Sequence, residues 1–289
     1  MWKNEFIKFA YKLNFAIAEL GLGNLGIVKS FKNNMKKLLV PNDLILIEIQ
    51  GHPMYIYFNT IDMGVYLFSP FEPYTTELFK QAVTPGSKVL DIGAQFGYYS
   101  LIAAEQAGLD GQVYAFEPAP ANFKLLNRNI QMNGYNNIIQ AIQKGVGNRN
   151  KIEKLFLYEG CDSHGMHCHD QRCLKETILI ECITVDNFLG ESSVDVIKMD
   201  IEGNEPFALE GMKQTVLKSQ NIILFVEINP SLLNLAGVKP EDYLDQLERL
   251  GLNVQLIDEH SQCLKPISRE FLEKVDQDWY ANLYCSKKM

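Results

Sequence analysis

The stretch KVLDIGAQFGYYSL, residues 88–101, decides the fold. Its apolar start predicts a short buried strand, and its apolar end predicts a helix that begins near Tyr98. A Gly-x-x-x-Gly turn, Gly93 to Gly97, joins the two. Gly93 can adopt backbone dihedrals closed to other residues, and Asp91 lies at the carboxyl end of the strand, where open α/β sheets bind small molecules. An acid beside a glycine-rich turn favours a ligand that carries positive charge.

Two other ligand classes share this strand-turn-helix layout, and the sequence disfavours both. A dinucleotide-binding loop has the pattern G-x-G-x-x-G, and this loop lacks the second close glycine that lets a pyrophosphate approach the helix N-terminus. The loop also lacks the Lys-Ser/Thr pair of a P-loop. An acid here would repel phosphate but would accept the α-ammonium group of S-adenosylmethionine. An ordinary strand-to-helix turn is the remaining alternative.

A second acid follows the next predicted strand. The segment QVYAFEP, residues 112–118, is apolar in its middle and reaches Glu117 before Pro118, a residue type that often opens a helix. An acid at the end of the second strand, about 20 residues beyond a glycine loop, is where a ribose diol is held. Asp91 and Glu117 together therefore predict a nucleoside cofactor more strongly than either acid alone.

Composition and charge are those of an ordinary globular protein, with 47% hydrophobic and 21% charged residues among 289. No stretch reaches the ~20 apolar residues of a membrane span, and charges interrupt any signal-peptide core, so we expect a cytoplasmic protein. The net charge of -8 is uneven, because residues 1–40 carry seven lysines and two glutamates, which leaves -13 for the rest. An acidic body is a poor surface for nucleic acid. The basic segment suits contact with an anionic membrane, or is simply a solvated helix face.

The remaining chain alternates predicted strands and helices. An amphipathic helix over residues 4–20, suited to capping the domain or to forming a homo-oligomer, and a hairpin over 44–58 come first. Helices are then predicted at 75–83, 98–107, 119–133 and 240–250, and strands at 89–92, 112–116, 138–142, 152–158, 177–185, 194–200, 221–229, 253–257 and 280–286. We therefore predict an α/β fold with a doubly wound, mostly parallel sheet, and we divide the chain into an extension, residues 1–55, and a main domain, residues 56–289.

Three of the five histidines lie among cysteines, in a loop between two of these strands. They are His164, His167 and His169, beside Cys161, Cys168 and Cys173. The six cysteines form no C-x-x-C pair, so free thiols are expected. Zn²⁺ binding by the Cys/His stretch around residues 161–169 stays an alternative, although its spacing matches no known zinc finger. The loop is placed to fold over the carboxyl edge of the sheet.

The chain resembles the FkbM family of S-adenosylmethionine-dependent methyltransferases, on the class I (Rossmann-like) sheet, in five ordered segments: DIGAQFGYYS, FEPAPANFKLLNRNIQMNG, ITVDNFL, VIKMDIEGNEPFALEGM and ILFVEINP. The resemblance covers roughly residues 60–230, and it implies O-methylation of a hydroxyl group on a sugar, glycan or natural product.

The resemblance also implies roles for single residues. Asp91, Gly93 and Gly97 match the cofactor loop, and Glu117 matches the ribose-binding acid. Asp200-Ile201-Glu202-Gly203 matches a D-x-E-G segment whose acid faces the methionine moiety or the acceptor. Gln95 replaces the usual Asn of the loop. We place Gln95, Pro118, Val146 and Asp200 among the cofactor-binding residues.

Methyl transfer to an alcohol needs a positioned nucleophile that loses its proton. His164 and His167 are the first base candidates, because neutral imidazole suits this task near pH 7, although either histidine could be a solvated or packed side chain. Asp200 and Glu227, which end predicted strands, are the carboxylate candidates. Asp200, Glu202 and Glu227 are also a candidate set for Mg²⁺ or a similar ion that lowers the pKa of the hydroxyl.

Two rival functions stay open. Some tRNA methyltransferases pair a similar glycine loop with an Asn-rich helix, but the acidic body and the lack of an N-P-P-Y-like base-stacking segment argue against RNA. A non-catalytic adapter on the same sheet is the other rival. The complete set of Asp91, Gly93 and Glu117 argues against it, because such an adapter has no need of a cofactor site.

Overall fold

A computed structural model describes residues 44–57, 71–158, 164–168, 174–276 and 279–287. The predicted helix over residues 4–20 and the basic segment lie outside these ranges, as do Cys161, His169 and Cys173. The chain divides into two compact units, Met1–Phe71 and Glu72–Met289. The division after residue 55 stays a prediction. No helix among the described residues has the length and apolar character that crossing a membrane requires.

The described part of the first unit is a β-hairpin, as predicted. Strands β1 (Leu44–Ile49) and β2 (His52–Tyr57) pair antiparallel. Gln50 and Gly51 both have positive φ, 53° and 83°, which is the geometry of the tight two-residue turn that matches the twist of a hairpin. Alternate residues of β1 are buried, so the hairpin has one apolar face.

The described residues of the second unit contain eleven strands. They are β3 (Lys88–Ile92), β4 (Gln112–Phe116), β5 (Ile139–Ile142), β6 (Gly145–Val146), β7 (Lys151–Tyr158), β8 (Leu174–Ile183), β9 (Val196–Met199), β10 (Ile223–Ile228), β11 (Leu252–Asp258), β12 (Cys263–Pro266) and β13 (Ala281–Lys287). Eight of them form one sheet in the order β12-β11-β13-β10-β9-β3-β4-β5, and the other three form a small sheet in the order β6-β8-β7.

Nine helices accompany these strands in the described ranges. They are α1 (Pro73–Ala82), α2 (Tyr98–Ala107), α3 (Pro120–Met132), α4 (Val185–Leu189), α5 (Glu205–Gly211), α6 (Lys213–Lys218), α7 (Pro230–Leu235), α8 (Pro240–Arg249) and α9 (Arg269–Leu272). Pro120, not Pro118, occupies the first turn of α3. The sequence analysis missed α4 to α7, α9, β6 and β12, because elements of two to seven residues are too short to show a period.

Six of the eight strands of the large sheet point the same way, which confirms the mostly parallel prediction. Strand β3 pairs parallel with β4 and β9, and β4–β5 and β9–β10 are parallel too. Strand β13 is antiparallel to both β10 and β11, so β11 has the direction of β10. After β5, at one edge of the sheet, the chain crosses back and continues later as β9, which lies beside β3. The direction in which strands are added therefore reverses between β3 and β9, and this reversal leaves a crevice at their carboxyl ends.

Apolar side chains cover both faces of this sheet. On one face, the ring of Phe79 from α1 lies 5.4 Å from that of Phe225 and 4.9 Å from that of Tyr99. On the other, Leu244 and Leu247 of α8 belong to the same buried cluster as the strands. Burial on both faces explains why VIKM of β9 is buried at every position.

The glycine at the end of β3 makes a close backbone contact. Gly93 has a φ of 89°, and a Cβ atom there would lie 1.9 Å from the carbonyl oxygen of Asp200. We expect Gly93→Ala to lower the free energy of unfolding by at least about 3 kcal/mol, because it combines backbone strain with a clash. Urea denaturation measures this loss.

Gly86→Ala is the matched control. Gly86 has a φ of 83°, but nothing lies within 4 Å of the position of its Cβ. Its substitution should cost only about 1 kcal/mol, the effect of the dihedral alone. Equal losses in the two variants would contradict the close contact between Gly93 and Asp200.

Candidate active site

The loop between β3 and α2 is tied to the end of β4. The backbone N–H groups of Gly93 and Ala94 both donate to the carbonyl oxygen of Phe116, at 3.0 and 2.9 Å. The next amide, that of Gln95, donates to Glu117 Oε2 at 2.9 Å. The loop and the second strand therefore form one unit at the carboxyl edge, as the predicted cofactor site requires.

Glu117 is buried at the centre of this unit. Its Oε1 accepts a hydrogen bond from the backbone N–H group of Ala119 at 2.8 Å, so both carboxyl oxygens accept hydrogen bonds from backbone amides. Burial raises the pKa of Glu117 to about 7, although these amide bonds oppose the shift. Its place beside the loop matches the predicted ribose-binding acid, whose role stays a prediction. Pro118 follows it, half-buried.

Asp91 lies under the loop and does not face solvent. Its side chain is 2% exposed, and Oδ2 accepts a hydrogen bond from the hydroxyl of Ser100 in the first turn of α2. Burial raises the pKa of Asp91 to about 6, while Ser100 and Lys198 act in the opposite direction. A cationic ligand next to this carboxyl group would therefore stabilise its charged form.

Asp200 lies directly against the same loop. Its backbone N–H donates to the carbonyl of Ile92 at 3.0 Å, and its side chain is 35% exposed. A turn follows in which Glu202 and Gly203 have positive φ values of 56° and 91°. Left-handed backbone is unusual for glutamate and is concentrated at functional sites.

Asp200 is one of three carboxyl groups that lie close together. Oxygen atoms of Asp200, Glu205 and Glu227 lie within 4.8 Å of one another. The structure brings Glu205, and not the predicted Glu202, into this group. Burial raises the pKa of Glu205 to about 8, and burial with the charges of Asp200 and Glu202 raises that of Glu227 well above its ordinary value. This end of the site favours positive charge.

The histidine loop reaches the same edge. A Cβ on Gly165 would lie 3.3 Å from the Cβ of Glu202, so residues 164–168 pass beside the D-x-E-G turn. His164 Nδ1 accepts a 3.4 Å hydrogen bond from the backbone of Tyr158. Burial lowers the pKa of His167, which favours its neutral form. Its Nε2 atom is buried without a hydrogen-bond partner among the described residues.

Val146 is a less direct neighbour of the cofactor loop. It is 2% exposed in β6 and belongs to the apolar core. Its carbonyl oxygen accepts a hydrogen bond from Asn204 Nδ2 at 2.9 Å. Val146 therefore supports the turn that follows β9, and direct contact with a cofactor stays a prediction.

The sequence analysis missed a largely buried polar group next to the site. It consists of Glu72, Tyr99, Lys198 and Asn282, joined by hydrogen bonds and an ion pair to Asp200. One signal in the sequence was available, because Lys198 interrupts an otherwise apolar strand, VIKM. Glu72 and Asn282 carry no comparable local signal.

Fold and site together define a class of protein. The order β5-β4-β3-β9-β10-β13-β11, with β13 reversed, and an acid-flanked glycine loop at the end of β3 are those of the class I S-adenosylmethionine-dependent methyltransferases. A family model, the methyltransferase FkbM domain, matches residues 91–253, more than half of the chain. The chain belongs to this family, and the predicted resemblance is confirmed.

The chain is also similar, at low identity or over short segments, to individual proteins. The chain is 27% identical over 147 residues to "Methyltransferase 1" of Beauveria bassiana, covering 44% of this chain and 58% of that protein. It is 38% identical over 58 residues to a protein-L-isoaspartate O-methyltransferase of Aeropyrum pernix, covering 20% and 22%. A SAM-dependent O-methyltransferase structure from Thermotoga maritima aligns with a TM-score of 0.45 at 12% identity, over 89% of this chain and 81% of that one. The chain thus spans less than two thirds of the first two relatives.

Burial of Glu117 makes the stability depend on pH. Because the pKa of Glu117 is raised from 4.5 to about 7, the folded protein keeps a proton that the unfolded chain releases between these values. The free energy of unfolding therefore falls as the pH rises through this window. In Glu117→Gln the fall from pH 5 to pH 8 should shrink, by up to about 3 kcal/mol.

Urea denaturation of both proteins at the two pH values measures this difference. The exposed Glu191, changed to Gln, is the control and should leave the pH dependence as it is in the wild type. An unchanged pH dependence in Glu117→Gln would contradict the raised pKa.

Proposed function

We propose that this protein is an S-adenosylmethionine-dependent O-methyltransferase that acts on a hydroxyl group of a sugar, a glycan or a natural product. The observation that carries the proposal is the placement of Asp91 and Glu117, both buried, on either side of the loop from Gly93 to Gly97. Family membership supports the reaction class, and the acceptor belongs to the proposal.

The residues present fit the cofactor. Asp91 provides a buried carboxyl group for a cationic amino-acid end, and Glu117 provides carboxyl oxygens at the end of β4 for a ribose diol. Gly93 and Gly97 have positive φ, and a Cβ atom on either residue would clash with Asp200 or Leu126, so glycine allows the loop to follow this course. Bound in this crevice, S-adenosylmethionine supplies an electrophilic methyl group on a positively charged sulfur.

The protein's contribution to transfer is positioning and proton removal. The acceptor oxygen forms a bond to the methyl carbon as the carbon–sulfur bond breaks, so the two reactants must be held in line, roughly 3 Å apart. The carboxyl groups of Asp200 and Glu227 lie beyond the loop, on the side where an acceptor would enter. Their negative charge would stabilise the cationic sulfur and would attract the proton that leaves the acceptor hydroxyl.

We place the proton acceptor among four side chains: His164, His167, Asp200 and Glu227. His167 has the strongest case of the two histidines, because burial keeps its imidazole neutral and its Nε2 atom is unpaired within the described residues. A neutral imidazole accepts a proton near pH 7. Asp200 has the strongest case of the two acids, because it borders both the loop and solvent.

A divalent cation is a secondary part of the proposal. Asp200, Glu205 and Glu227 offer oxygen ligands close together, the ligand type that Mg²⁺ prefers. An ion held there would lower the pKa of an acceptor hydroxyl. The transfer assay below therefore includes an arm with chelator.

The proposed partners follow from charge and position. The acidic body favours a small-molecule or glycan acceptor over nucleic acid. The basic segment within residues 1–40 suits peripheral contact with an anionic membrane, and the helix predicted over residues 4–20 suits formation of a homo-oligomer. A cytoplasmic location completes the proposal.

Binding of the methyl donor tests the assignment first. Asp91→Ala should abolish S-adenosylmethionine binding in isothermal calorimetry, because the cationic end of the ligand loses its carboxyl partner. Asp110→Ala, at an exposed position, should bind like the wild type. Unchanged binding by Asp91→Ala would refute the role of this acid, and lack of binding by the wild type would refute the function.

Turnover tests the acceptor and the base. A screen of sugars, glycans and lipid-linked sugars with methyl-labelled donor, with and without chelator, should show labelled product. With that acceptor, His167→Ala should lower turnover by roughly 100-fold or more, the usual contribution of a general base, while donor binding is retained. Full turnover in His164→Ala and His167→Ala would remove both histidines, and loss with chelator would favour the cation.

A further inference from the structure

The side chain of Lys198 is buried within the sheet. Lys198 is 1% exposed in β9, and the other three residues of this strand, Val196, Ile197 and Met199, are apolar and buried. Removal of an ammonium group from water costs several kcal/mol unless good partners compensate for it. An apolar residue would satisfy the packing of β9 without that cost, so the lysine calls for a role beyond packing.

The ammonium group of Lys198 lies between two oxygen atoms. Its Nζ atom is 3.3 Å from Asp200 Oδ2 and 3.2 Å from Asn282 Oδ1, and it lies 5.1 Å from the ring centre of Tyr99. The Nζ atom thus forms an ion pair with Asp200 and a hydrogen bond to Asn282, so the ammonium group has oxygen partners that compensate for its burial. Lys198 is therefore a fixed charge that contacts Asp200 from below.

The far side of this network is closed. Asn282 Nδ2 donates to Glu72 Oε1 at 2.7 Å, which orients Asn282 so that its oxygen faces Lys198. The hydroxyl of Tyr99 donates to Glu72 Oε2 at 2.5 Å. Both oxygens of Glu72 are thus engaged, and Glu72 is held in left-handed backbone, with a φ of 40°. Tyr99, Lys198 and Asn282 are buried and Glu72 is half-buried, whereas the side chain of Asp200, at the other end of the network, is 35% exposed.

Asp200 is also bound to the cofactor loop through its backbone. Its carbonyl oxygen lies where a Cβ of Gly93 would be, and its N–H group bonds to Ile92. The backbone of Asp200 therefore cannot move independently of the loop, and Lys198 restrains the remaining freedom, which is that of the carboxyl group.

We propose that Lys198 is a positioning residue for methyl transfer, which acts with Asn282 to hold the Asp200 carboxylate toward the cationic sulfur and its methyl group. The proposal rests on the proposed function. It assigns a purpose to a buried ion pair that packing does not explain, and it makes Asp200 the group through which Lys198 acts.

Two cofactor analogues report on this role without an acceptor. S-Adenosylhomocysteine has a neutral sulfur, whereas sinefungin has an amine at the position of the transferred methyl group. The ratio of their dissociation constants therefore measures how well the site holds positive charge there. The wild type should bind sinefungin more tightly, and Asp200→Asn should reduce this preference by roughly tenfold, as expected for loss of one close charge interaction.

Lys198→Met should reduce the preference to a similar extent, although it removes a positive charge. A cation without a positioning role would do the opposite, because its removal would relieve repulsion and strengthen sinefungin binding. Lys198→Arg should keep much of the preference, and the exposed Lys213→Met should keep all of it. A purely structural defect would weaken both ligands equally and leave their ratio unchanged, which would overturn the proposal.

The double variant gives the second readout. If Lys198 acts through Asp200, then Lys198→Met should have almost no further effect on the ratio in an Asp200→Asn background. An equal effect in both backgrounds would overturn the proposal. Should Lys198→Met fail to fold, Asn282→Ala replaces it, and a preference as strong as that of the wild type would overturn the proposal. A wild type that binds neither analogue would instead refute the proposed function.

Discussion

Burial of carboxyl groups at one edge of the sheet is the physical constraint on which the rest of this structure depends. Burial removes the water that would stabilise the charged carboxylates, and this desolvation raises the pKa of Asp91, Glu117 and Glu205. Lys198 is a buried cation that opposes the shifts of Asp91 and Glu227. Burial of charged carboxyl groups in excess over buried cations is costly, and a bound cationic ligand would compensate for that cost.

The backbone keeps these groups in place through close contacts. Gly93 approaches the carbonyl of Asp200 so closely that a side chain at residue 93 would clash with it, and the ends of β3 and β9 are in contact there. Around this contact, Glu72, Gln95 and Glu202 all have positive φ. Each of these residues costs roughly 1 kcal/mol or more of backbone strain, which persists only where the surroundings over-determine it. These three residues lie near the candidate site, whereas the other described non-glycine residues with positive φ, Gln50 and Gln262, lie in turns between antiparallel strands.

The sheet divides the site into two halves with different chemistry. At the ends of β3 and β4, the carboxyl groups of Asp91 and Glu117 accept hydrogen bonds from a hydroxyl group and from backbone amides, and this is the half where we propose that the nucleoside binds. Over β9 and β10, carboxyl groups lie within reach of one another and the segment 164–168 passes close by. The segment 164–168 lies between β7 and β8 of the small sheet, and it passes beside the turn that follows β9.

The sequence alone determined the strand-loop-helix unit at residues 88–107, the acids Asp91 and Glu117, and the succession of the main strands along the chain. Each depends on local properties, which are hydrophobic period, glycine dihedrals and the acid that ends a strand. Only the tertiary structure decided that Glu205 joins Asp200 and Glu227, because the left-handed turn after β9 sets which acid returns to the site. It alone also brought Glu72 to Asn282, which are 210 residues apart, because contacts at that separation depend on the packing of the whole sheet and leave no periodic mark in the chain.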